Sequence, residues 1–339
     1  MQHKERHIER PVALCDSKGR LNPQAIGYAK KPVIQSNLKG SWLKKKRWNH
    51  WSVYGEDVYF SLVICHLDYA ATIHVSFVDL ETTRFVSEQI VIPFGRKLTL
   101  GDEVFDNTSF QNDQIALQAV YTQDEGHISV TIPQFDNELL HVDLHMTYIE
   151  EDDSINVVIP HSRDMFQFTS KHLTLPTDGF IKLGSRRYDL EARYSFSVFD
   201  YTRGVWPRQV ESYWATASQQ IGGRRIGLNF GGKWTDGTGM TENGFMIDGE
   251  LRKIHEDVLF MHDPLNKRRP WAIRTKFSKN LQMTFTPFAT YESSVPLLVG
   301  KIQVMRHLGY YNGIVRLKDG QPLRLKQLLG VVEQTKARW

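Results

Sequence analysis

The sequence predicts a mainly β protein built from antiparallel strands. The first observation is period-two alternation: in ELLHVDLHMTY, Leu140, Val142, Leu144, Met146 and Tyr148 fall on one face. Strands with one buried face produce this pattern. The second is the 12% aromatic content, with 8 Trp, 13 Tyr and 18 Phe, which suits sheets better than helical bundles. The third is a series of turn signals about ten residues apart, which is typical of barrels or sandwiches.

The same alternation, followed along the chain, predicts further strands. It appears in GHISVTIP (126–133), RYSFSVF (193–199) and NLQMTFT (280–286). Between such segments, TDG (177–179) and IGG (221–223) offer glycines for tight turns. Near the C-terminus, Leu325, Leu328, Leu329 and Val332 have helical spacing, so a short C-terminal helix is expected there.

The length of the chain predicts two domains. At 339 residues it exceeds what one hydrophobic core usually holds. No low-complexity linker separates the halves, but a new series of strands begins around residues 180–190. We therefore expect an N-terminal barrel domain over residues 1–185 and a C-terminal barrel domain, with the terminal helix, over residues 186–339.

The charge and the cysteines argue against a nucleic-acid-binding protein, a disulfide-rich protein and a zinc protein. The formal charge is only +4, and the densest basic cluster is the single run 44–47, which is a thin footprint for nucleic acid. Cys15 and Cys65 lie fifty positions apart without CxxC spacing, so neither a disulfide framework nor a zinc site is indicated. The first ten residues are charged and no apolar run reaches about 18 residues, so neither a signal peptide nor a membrane-spanning helix is expected. These features predict a cytoplasmic protein with no nucleic-acid partner.

Three segments carry a family resemblance: SVFDYTRGVWP (197–207), ESYWATAS (211–218) and GLNFGGKWTDGTGMTENGFMIDGELRKI (227–254). They resemble a bacterial family catalogued as domain of unknown function 2804. LCDSKGRLNPQAIGYAKKP and RHLGYYNGIVRLKDG extend the match over nearly the whole chain. More distantly, the chain is similar to the carotenoid 1,2-hydratase, tocopherol cyclase and survival-factor group. Its members carry two lipocalin-like β-barrels packed together, so the resemblance implies that architecture here.

The resemblance also indicates one acid. When the segment ending in SVFDYTRGVWP is aligned with the segment that opens the second domain in that group, Asp200 matches a family acid and Gly204 matches a glycine. The His and Trp that usually flank the acid are replaced by Tyr201 and Arg203, with Trp206 displaced by two positions. Chemistry that depends on that His therefore does not carry over.

Period two also places Asp200 on the apolar face of its own strand, with Phe196 and Val198. Burial would raise its pKa, whereas a nearby Arg203 would lower it. Two roles remain open: a proton donor to an alkene or ether, or a structural ion pair with Arg203.

The stretch KWTDGTGMTENGFMIDG (233–249) contributes further candidates. Asp236 is suited to capping its turn, and the pair Glu242 and Asn243 at the start of a strand is suited to orienting a hydroxyl group. Trp206, Trp214 and Trp234 are candidates for an aromatic wall that stabilises a cation or stacks on a sugar, although core packing also explains them.

A weaker pattern is the HxDxH arrangement of His141, Asp143 and His145 on one strand face. A solvated polar face explains it better than a metal site, so no metal or organic cofactor is expected.

These observations favour a small hydrophobic or amphipathic ligand at the domain junction. The first hypothesis is a cofactor-independent, acid-catalysed hydratase, cyclase or isomerase acting on an isoprenoid or lipid-like molecule. Asp200 is its proton donor, Glu242 or Asp236 its base, and Arg203, Asn243 and the tryptophans its ligand contacts. The alternatives are a non-catalytic lipid carrier and, third, a carbohydrate-active enzyme using Asp236 and Glu242. Oligomeric state is left open.

Overall fold

The computed structural model describes residues 2–39, 42–297, 300–317 and 319–339. Regular structure in these residues is almost entirely β, with one 3-10 turn at Pro23–Ala25. In chain order the strands are β1 (Val12–Ala13), β2 (Gly27–Ala29), β3 (Ile34–Gln35), β4 (Lys45–Tyr54), β5 (Val58–His66), β6 (Ala70–Asp79), β7 (Phe85–Pro93), β8 (Thr108–Gln111), β9 (Ala116–Tyr121), β10 (Glu125–Phe135), β11 (Glu138–Thr147), β12 (Ile155–Pro160), β13 (Phe166–Leu183), β14 (Arg186–Leu190), β15 (Phe196–Val205), β16 (Gln209–Ile221), β17 (Arg224–Gly232), β18 (Gly244–Ile247), β19 (Glu250–Lys253), β20 (Val258–Met261), β21 (Trp271–Thr275), β22 (Leu281–Leu297), β23 (Gly300–Arg316) and β24 (Pro322–Arg338).

Within the described residues, these strands form two large sheets. The first has 13 strands along the path β7-β6-β5-β4-β15-β13-β11-β10-β9-β8, with β12 and β14 also paired to β13 and β2 paired to β12. The second has nine strands in the order β19-β18-β17-β16-β24-β23-β22-β21-β20. The chain passes from the first sheet to the second between Val205 and Gln209. The proposed domain division at residues 185 and 186 stays a prediction.

The fold class is confirmed: the molecule consists of two curled antiparallel half-barrel sheets, as in a two-domain lipocalin-like fold. The pairings within both sheets are antiparallel, and β1 with β3 forms a separate two-stranded parallel pair. Among the described residues, no helix combines the length and the apolar character needed to cross a bilayer.

The predicted C-terminal helix is wrong, because that segment is strand β24, paired with β16 and β23. The register of β23 with β24 shifts between Tyr311 and Gly313, and Gln327 has a positive φ of 51°. This bulge inserts an extra residue, so Leu325 and Leu328 both reach the core of the second sheet. A bulged strand thus imitates the three-residue spacing of a helix.

The two glycine signals have different outcomes. Ile221 and Arg224 pair across the hairpin of β16 and β17, where Gly222 and Gly223 have positive φ. The TDG signal does not end a strand, since Gly179 lies inside β13 and pairs with both β11 and β14.

Alternating residues of the central strands face two different cores. In β4, Trp51 and Val53 belong to a cluster within the first half of the molecule. Tyr54 instead joins a cluster with Val198 of the first sheet and Val331 of the second. The sheets therefore pack through the faces opposite to their own half-barrel cores, and side chains between them are buried by both.

Candidate functional site

A cavity of about 170 Å³ lies between the two sheets. One cross-strand row forms much of its wall on the first sheet, because directly paired residues share a face. Lys171 of β13 pairs with Asp200 of β15, and the row continues through His50, Val63, His74 and Gln89 of β4, β5, β6 and β7. All six residues line the cavity. A polar row on a buried face is unusual for packing alone.

The opposite wall comes from the second sheet. A row of paired residues crosses β16, β24, β23 and β22, and it consists of Ser212, Thr335, Val304 and Ser293. A neighbouring row contains Trp214, Glu333 and Arg306.

Indole rings cover part of the cavity. The ring of Trp206 lies 5.0 Å from Trp48, 5.5 Å from Trp234 and 5.9 Å from Trp339, measured between centroids. All four residues line the cavity. The apolar faces of these rings and the polar row give the cavity an amphipathic lining.

The charged centre of the site is Lys171, which contacts two carboxyl groups. Its Nζ lies 2.7 Å from Oδ2 of Asp200 and 3.1 Å from Oε2 of Glu242, and all three side chains are at most 6% exposed. Oδ1 of Asp200 accepts hydrogen bonds from the hydroxyl groups of Thr169 (2.9 Å) and Thr202 (3.1 Å). Asp200 thus has three donors, which is the environment of a carboxylate anion.

The backbone of Glu242 is held by a neighbouring side chain. Its carbonyl oxygen accepts from Nδ2 of Asn229 at 2.8 Å, and Oδ1 of Asn229 accepts from the indole N–H of Trp214 at 2.7 Å. A Cβ on Gly231 would lie 2.2 Å from Oε1 of Glu242, so only glycine leaves room for this carboxyl group. The sequence positions Glu242 through a short polar network and one glycine.

Burial raises the pKa of Glu242, and the negative charge of Asp200 raises it further, against the lowering effect of Lys171. Its Oε2 receives no hydrogen bond of good geometry from the described residues, although Lys171 lies 3.1 Å away. One ammonium lies between two buried carboxyl groups, and the raised pKa means that Glu242 holds a proton more readily than an ordinary glutamate. Glu242 is therefore suited to donate a proton.

Lys171 remains charged in this arrangement. Burial by itself would lower its pKa, but Asp200 and Glu242 raise it above the ordinary value. Its Nζ also lies 5.0 Å from the ring centroid of Trp214, which adds a cation–π contact.

A second cation lies across the cavity. Arg306 donates to Oε2 of Glu333 at 2.8 Å and to Oγ of Ser61 at 3.1 Å. Burial lowers the pKa of His50 well below its usual value and lowers that of His74 to about 3, and the charge of Arg306 lowers both further. Both imidazoles are thus neutral near pH 7.

Cys65 also lines the cavity, and burial raises its pKa to about 12. It is therefore a neutral thiol, and thiolate chemistry is not available there.

The structure brings five of the predicted site residues to this cavity. They are Asp200, Glu242, Trp206, Trp214 and Trp234. Arg203, Asp236 and Asn243 are not among the residues that line it.

Arg203 lies on the other face of β15, since odd and even residues of a strand alternate. Its guanidinium stacks on Tyr201 at 3.7 Å and donates to the carbonyl oxygen of Gly101 and to Oδ1 of Asn49. The ion partner of Asp200 is accordingly Lys171, and the Asp200–Arg203 pair considered from sequence is not formed.

The side chains of Asp236 and Asn243 form hydrogen bonds to main-chain groups. Asp236 lies on an exposed turn, where its Oδ1 accepts from the amide of Lys233 at 3.1 Å. Asn243 is buried, accepts from the amide of Gly231 at 2.7 Å and donates to the carbonyl of Glu256 at 3.0 Å. These contacts position the segment that carries Glu242.

Sequence reasoning missed Lys171, His50 and Arg306. Lys171 carried a usable signal, because it is the one charged residue in the strand run FQFTSKHLTL (166–175). His50 follows the basic run 44–47, and Arg306 precedes the segment HLGYY. Neither residue has a local sequence feature that identifies it as part of a site. Only the pairing of strands brings them to the cavity.

The cavity wall contains polar atoms that lack partners among the described residues. They are the indole N–H of Trp206 and the amide oxygen of Gln167, whereas Oε2 of Glu242 has only the ion contact with Lys171. Buried polar groups are normally satisfied. One unsatisfied donor and one unsatisfied acceptor on residues that line the cavity are consistent with a bound molecule that carries oxygen functions.

The fold and the cavity define a two-domain lipocalin-like protein with an amphipathic chamber between its sheets. The chain belongs to the family of domain of unknown function DUF2804, whose model matches residues 5–339. No curated protein sequence matches it.

Three solved structures are similar to this chain. A protein described as AttH, from Nitrosomonas europaea, is 11% identical, covers 86% of this chain and 92% of its own, and has a TM-score of 0.53. Kievitone hydratase from Nectria haematococca is 9% identical, with 87% and 88% covered and a TM-score of 0.46. CghA is 9% identical, with 94% and 96% covered and a TM-score of 0.48. The similarity to the first of these shows the fold.

Proposed function

We propose that the protein binds a small amphipathic ring compound between its sheets and catalyses acid-dependent addition of water to it, or its cyclisation or isomerisation. The observation that carries the proposal is Glu242: a buried carboxyl group of raised pKa on the wall of a tryptophan-lined cavity. No organic cofactor takes part in the proposed reaction.

The volume of the cavity supports a ligand with a small ring. A volume of about 170 Å³ is close to that of an engineered cavity of about 150 Å³ that holds benzene. It is below the roughly 300 Å³ at which pockets for drug-sized ligands begin. A ring of the ligand fits inside, and any longer isoprenoid or lipid-like chain must extend beyond the cavity.

The proposed reaction uses the Lys171 centre as follows. The O–H bond of Glu242 breaks as its proton forms a C–H bond with an alkene carbon of the substrate. The carbocation that results lies against the faces of Trp206 and Trp214. Water forms the new C–O bond, and its proton returns to Glu242, so the net change is addition of one water molecule.

Lys171 supports the step that creates charge. When Glu242 loses its proton, a carboxylate forms 3.1 Å from the ammonium of Lys171. This attraction is stronger in the transition state than before transfer, which is what accelerates a reaction. Asp200 balances Lys171 throughout. The donor role, assigned to Asp200 from sequence, thus moves to Glu242.

The carbohydrate alternative has less support. Glycosidase carboxyl groups flank the scissile bond with substrate between them. Here Lys171 occupies the space between Asp200 and Glu242, and Asp236 lies on an exposed turn outside the cavity lining. A non-catalytic lipid carrier shares the binding part of the proposal and differs only in turnover.

The unpaired thiols of Cys15 and Cys65 fit a reducing compartment, so we also propose a cytoplasmic location.

Native mass spectrometry of protein purified from its own host tests the ligand class. We expect a co-purifying compound with one or two rings and at least one oxygen. The Trp206→Phe variant should retain less of it, because it loses the indole N–H, whereas the matched Trp42→Phe variant at an exposed site should retain it fully. A saccharide in this position contradicts the proposal.

Turnover of the identified compound tests the chemistry. Glu242→Gln should bind it and lose about 10²–10⁴-fold in rate, the range of a general acid. Glu211→Gln, at a half-exposed site away from the cavity lining, is the matched control and should keep full activity. Equal rates in both variants remove Glu242 from catalysis, and binding without turnover in the wild type favours the carrier.

A further inference from the structure

A cluster of two histidines and one aspartate lies on the hairpin of β10 and β11, outside the cavity lining. We propose that Nε2 of His127, Nε2 of His145 and Oδ1 of Asp143 bind one divalent first-row metal ion, for which Zn²⁺ is the best-fitting candidate. A water molecule completes the coordination.

The register of the hairpin creates the cluster. His127 of β10 pairs directly with His145 of β11, and Asp143 lies two residues before His145 on the same face. The sequence pattern HxDxH suggested His141 as the third residue, but its ring lies 5.2 Å from Phe180. The cross-strand neighbour His127 replaces it, which no reading along one strand can show.

The distances agree with tetrahedral coordination. Oδ1 of Asp143 is 3.3 Å from Nε2 of His127 and 3.3 Å from Nε2 of His145. Ligand bonds of about 2.0–2.1 Å at tetrahedral angles give ligand–ligand distances of about 3.3–3.4 Å. All three ligand atoms lie within 4.8 Å of one another. The rings of His127 and His145 are stacked, with centroids 4.4 Å apart and 14° between their planes, so both partly exposed imidazoles must turn toward a shared ion on binding.

Glu125 lies behind one of the proposed ligands. Nδ1 of His145 is 2.8 Å from Oε1 of Glu125, and in the tautomer with its proton on Nδ1 the ring donates to this carboxylate and has the Nε2 lone pair available for a metal. A carboxylate behind a histidine is a common outer partner in zinc sites.

The scaffold under the cluster is rigid. On the inward face of the same strands, Ile128, Val130, Val142 and Leu144 are at most 1% exposed. The ligand side chains are about one-third exposed, so an ion reaches them from solvent. Two imidazoles and one carboxylate favour zinc and its neighbours over Mg²⁺ or Ca²⁺, which prefer oxygen ligands alone.

Calorimetric titration of the full chain, first freed of metal with chelator, tests the site with Zn²⁺ and with Mg²⁺. We expect one equivalent of Zn²⁺ to bind and Mg²⁺ not to bind at the same concentrations. His127→Ala and His145→Ala should each weaken Zn²⁺ binding at least about tenfold, and Glu125→Gln should weaken it by a similar factor.

His141→Ala is the matched control, since His141 is on the same face of β11 but outside the cluster. Its Zn²⁺ affinity should equal that of the wild type. Absence of Zn²⁺ binding in the wild type overturns the site, and so does an equal loss in His141→Ala and His145→Ala. Far-UV circular dichroism of each variant verifies that the hairpin remains folded.

Discussion

Replacing Lys171 with Met removes the only cation that touches Asp200 and Glu242 among the described residues while keeping a side chain of similar length. The ammonium is 3% exposed, and its two carboxyl partners are 6% and 2% exposed. Both carboxyl groups are therefore shielded from bulk water, and the free energy of unfolding should fall.

The expected loss follows from what remains buried. Breaking a buried ion pair by removing one partner costs about 3–5 kcal/mol. Asp200 is left as a carboxylate without its ion partner, and the loss of Lys171 favours the neutral form of Glu242 further, so the cost should stay within that range. At about 2–4 °C per kcal/mol for domains of this size, Tm should fall by roughly 10 °C.

The loss should depend on pH with a definite sign. The folded-state pKa of Glu242 lies above its ordinary value of 4.5, and loss of Lys171 raises it further. A group with a raised folded pKa contributes stability that is present at low pH and is lost as pH rises through that pKa. The deficit of Lys171→Met should therefore be smallest near pH 4.5 and grow toward pH 8.

Urea unfolding of the variant and the wild type between pH 4.5 and pH 8 measures this. Lys233→Met is the matched control: Lys233 pairs with Glu211 at 2.8 Å, but both side chains are about 40% exposed, so less than about 1 kcal/mol is expected. A deficit for Lys171→Met as small as the control at pH 8, or one that shrinks as pH rises, refutes the reasoning. The double variant with Asp200→Asn should recover part of the loss.

Three further predictions concern the same centre. The stability advantage of the wild type over Glu242→Gln should fall as pH rises above about 4.5, because the pKa of Glu242 is raised in the fold, and an advantage that grows with pH in urea unfolding contradicts this. Gly231→Ala should cost about 1–3 kcal/mol through its overlap with the Glu242 carboxyl group, and much less in a Glu242→Ala background, which thermal unfolding of the four proteins compares. The imidazole of His74, with a pKa of about 3, should show no NMR titration step between pH 5 and pH 8, whereas Arg306→Met should raise that pKa without bringing it above 6.5.

The prediction of a β architecture succeeded because strand alternation is a local property. In β11, Leu140, Val142, Leu144 and Met146 are buried, as their spacing predicts. The same rule failed at Leu325 and Leu328, where a bulge in the partner register changes the period. A bulge depends on the strand opposite, so spacing along one strand does not reveal it.

The candidate site was predictable in part. Asp200 could be selected from the family resemblance and the alternation of its strand, Glu242 from its pairing with Asn243 at the start of a strand, and the tryptophans as candidates for an aromatic wall. The contact between Asp200 and Glu242 through Lys171 could not be predicted, because Lys171 is 29 and 71 positions away from them in the sequence. The expected ion pair of Asp200 with Arg203 failed for a related reason. The two residues are close in sequence, but they are an odd number of positions apart on one strand, so their side chains lie on opposite faces.

The sequence by itself determined the predominance of strands, the alternation within regular strands such as β11, and the family, because each depends on short segments of residues. The tertiary structure alone decided which faces meet. Antiparallel pairing aligned Lys171, Asp200 and His50 in one row, and packing of the second sheet over that row removed it from water. Burial and charge contacts of that kind set the pKa of Glu242, and they exist only once distant strands have come together.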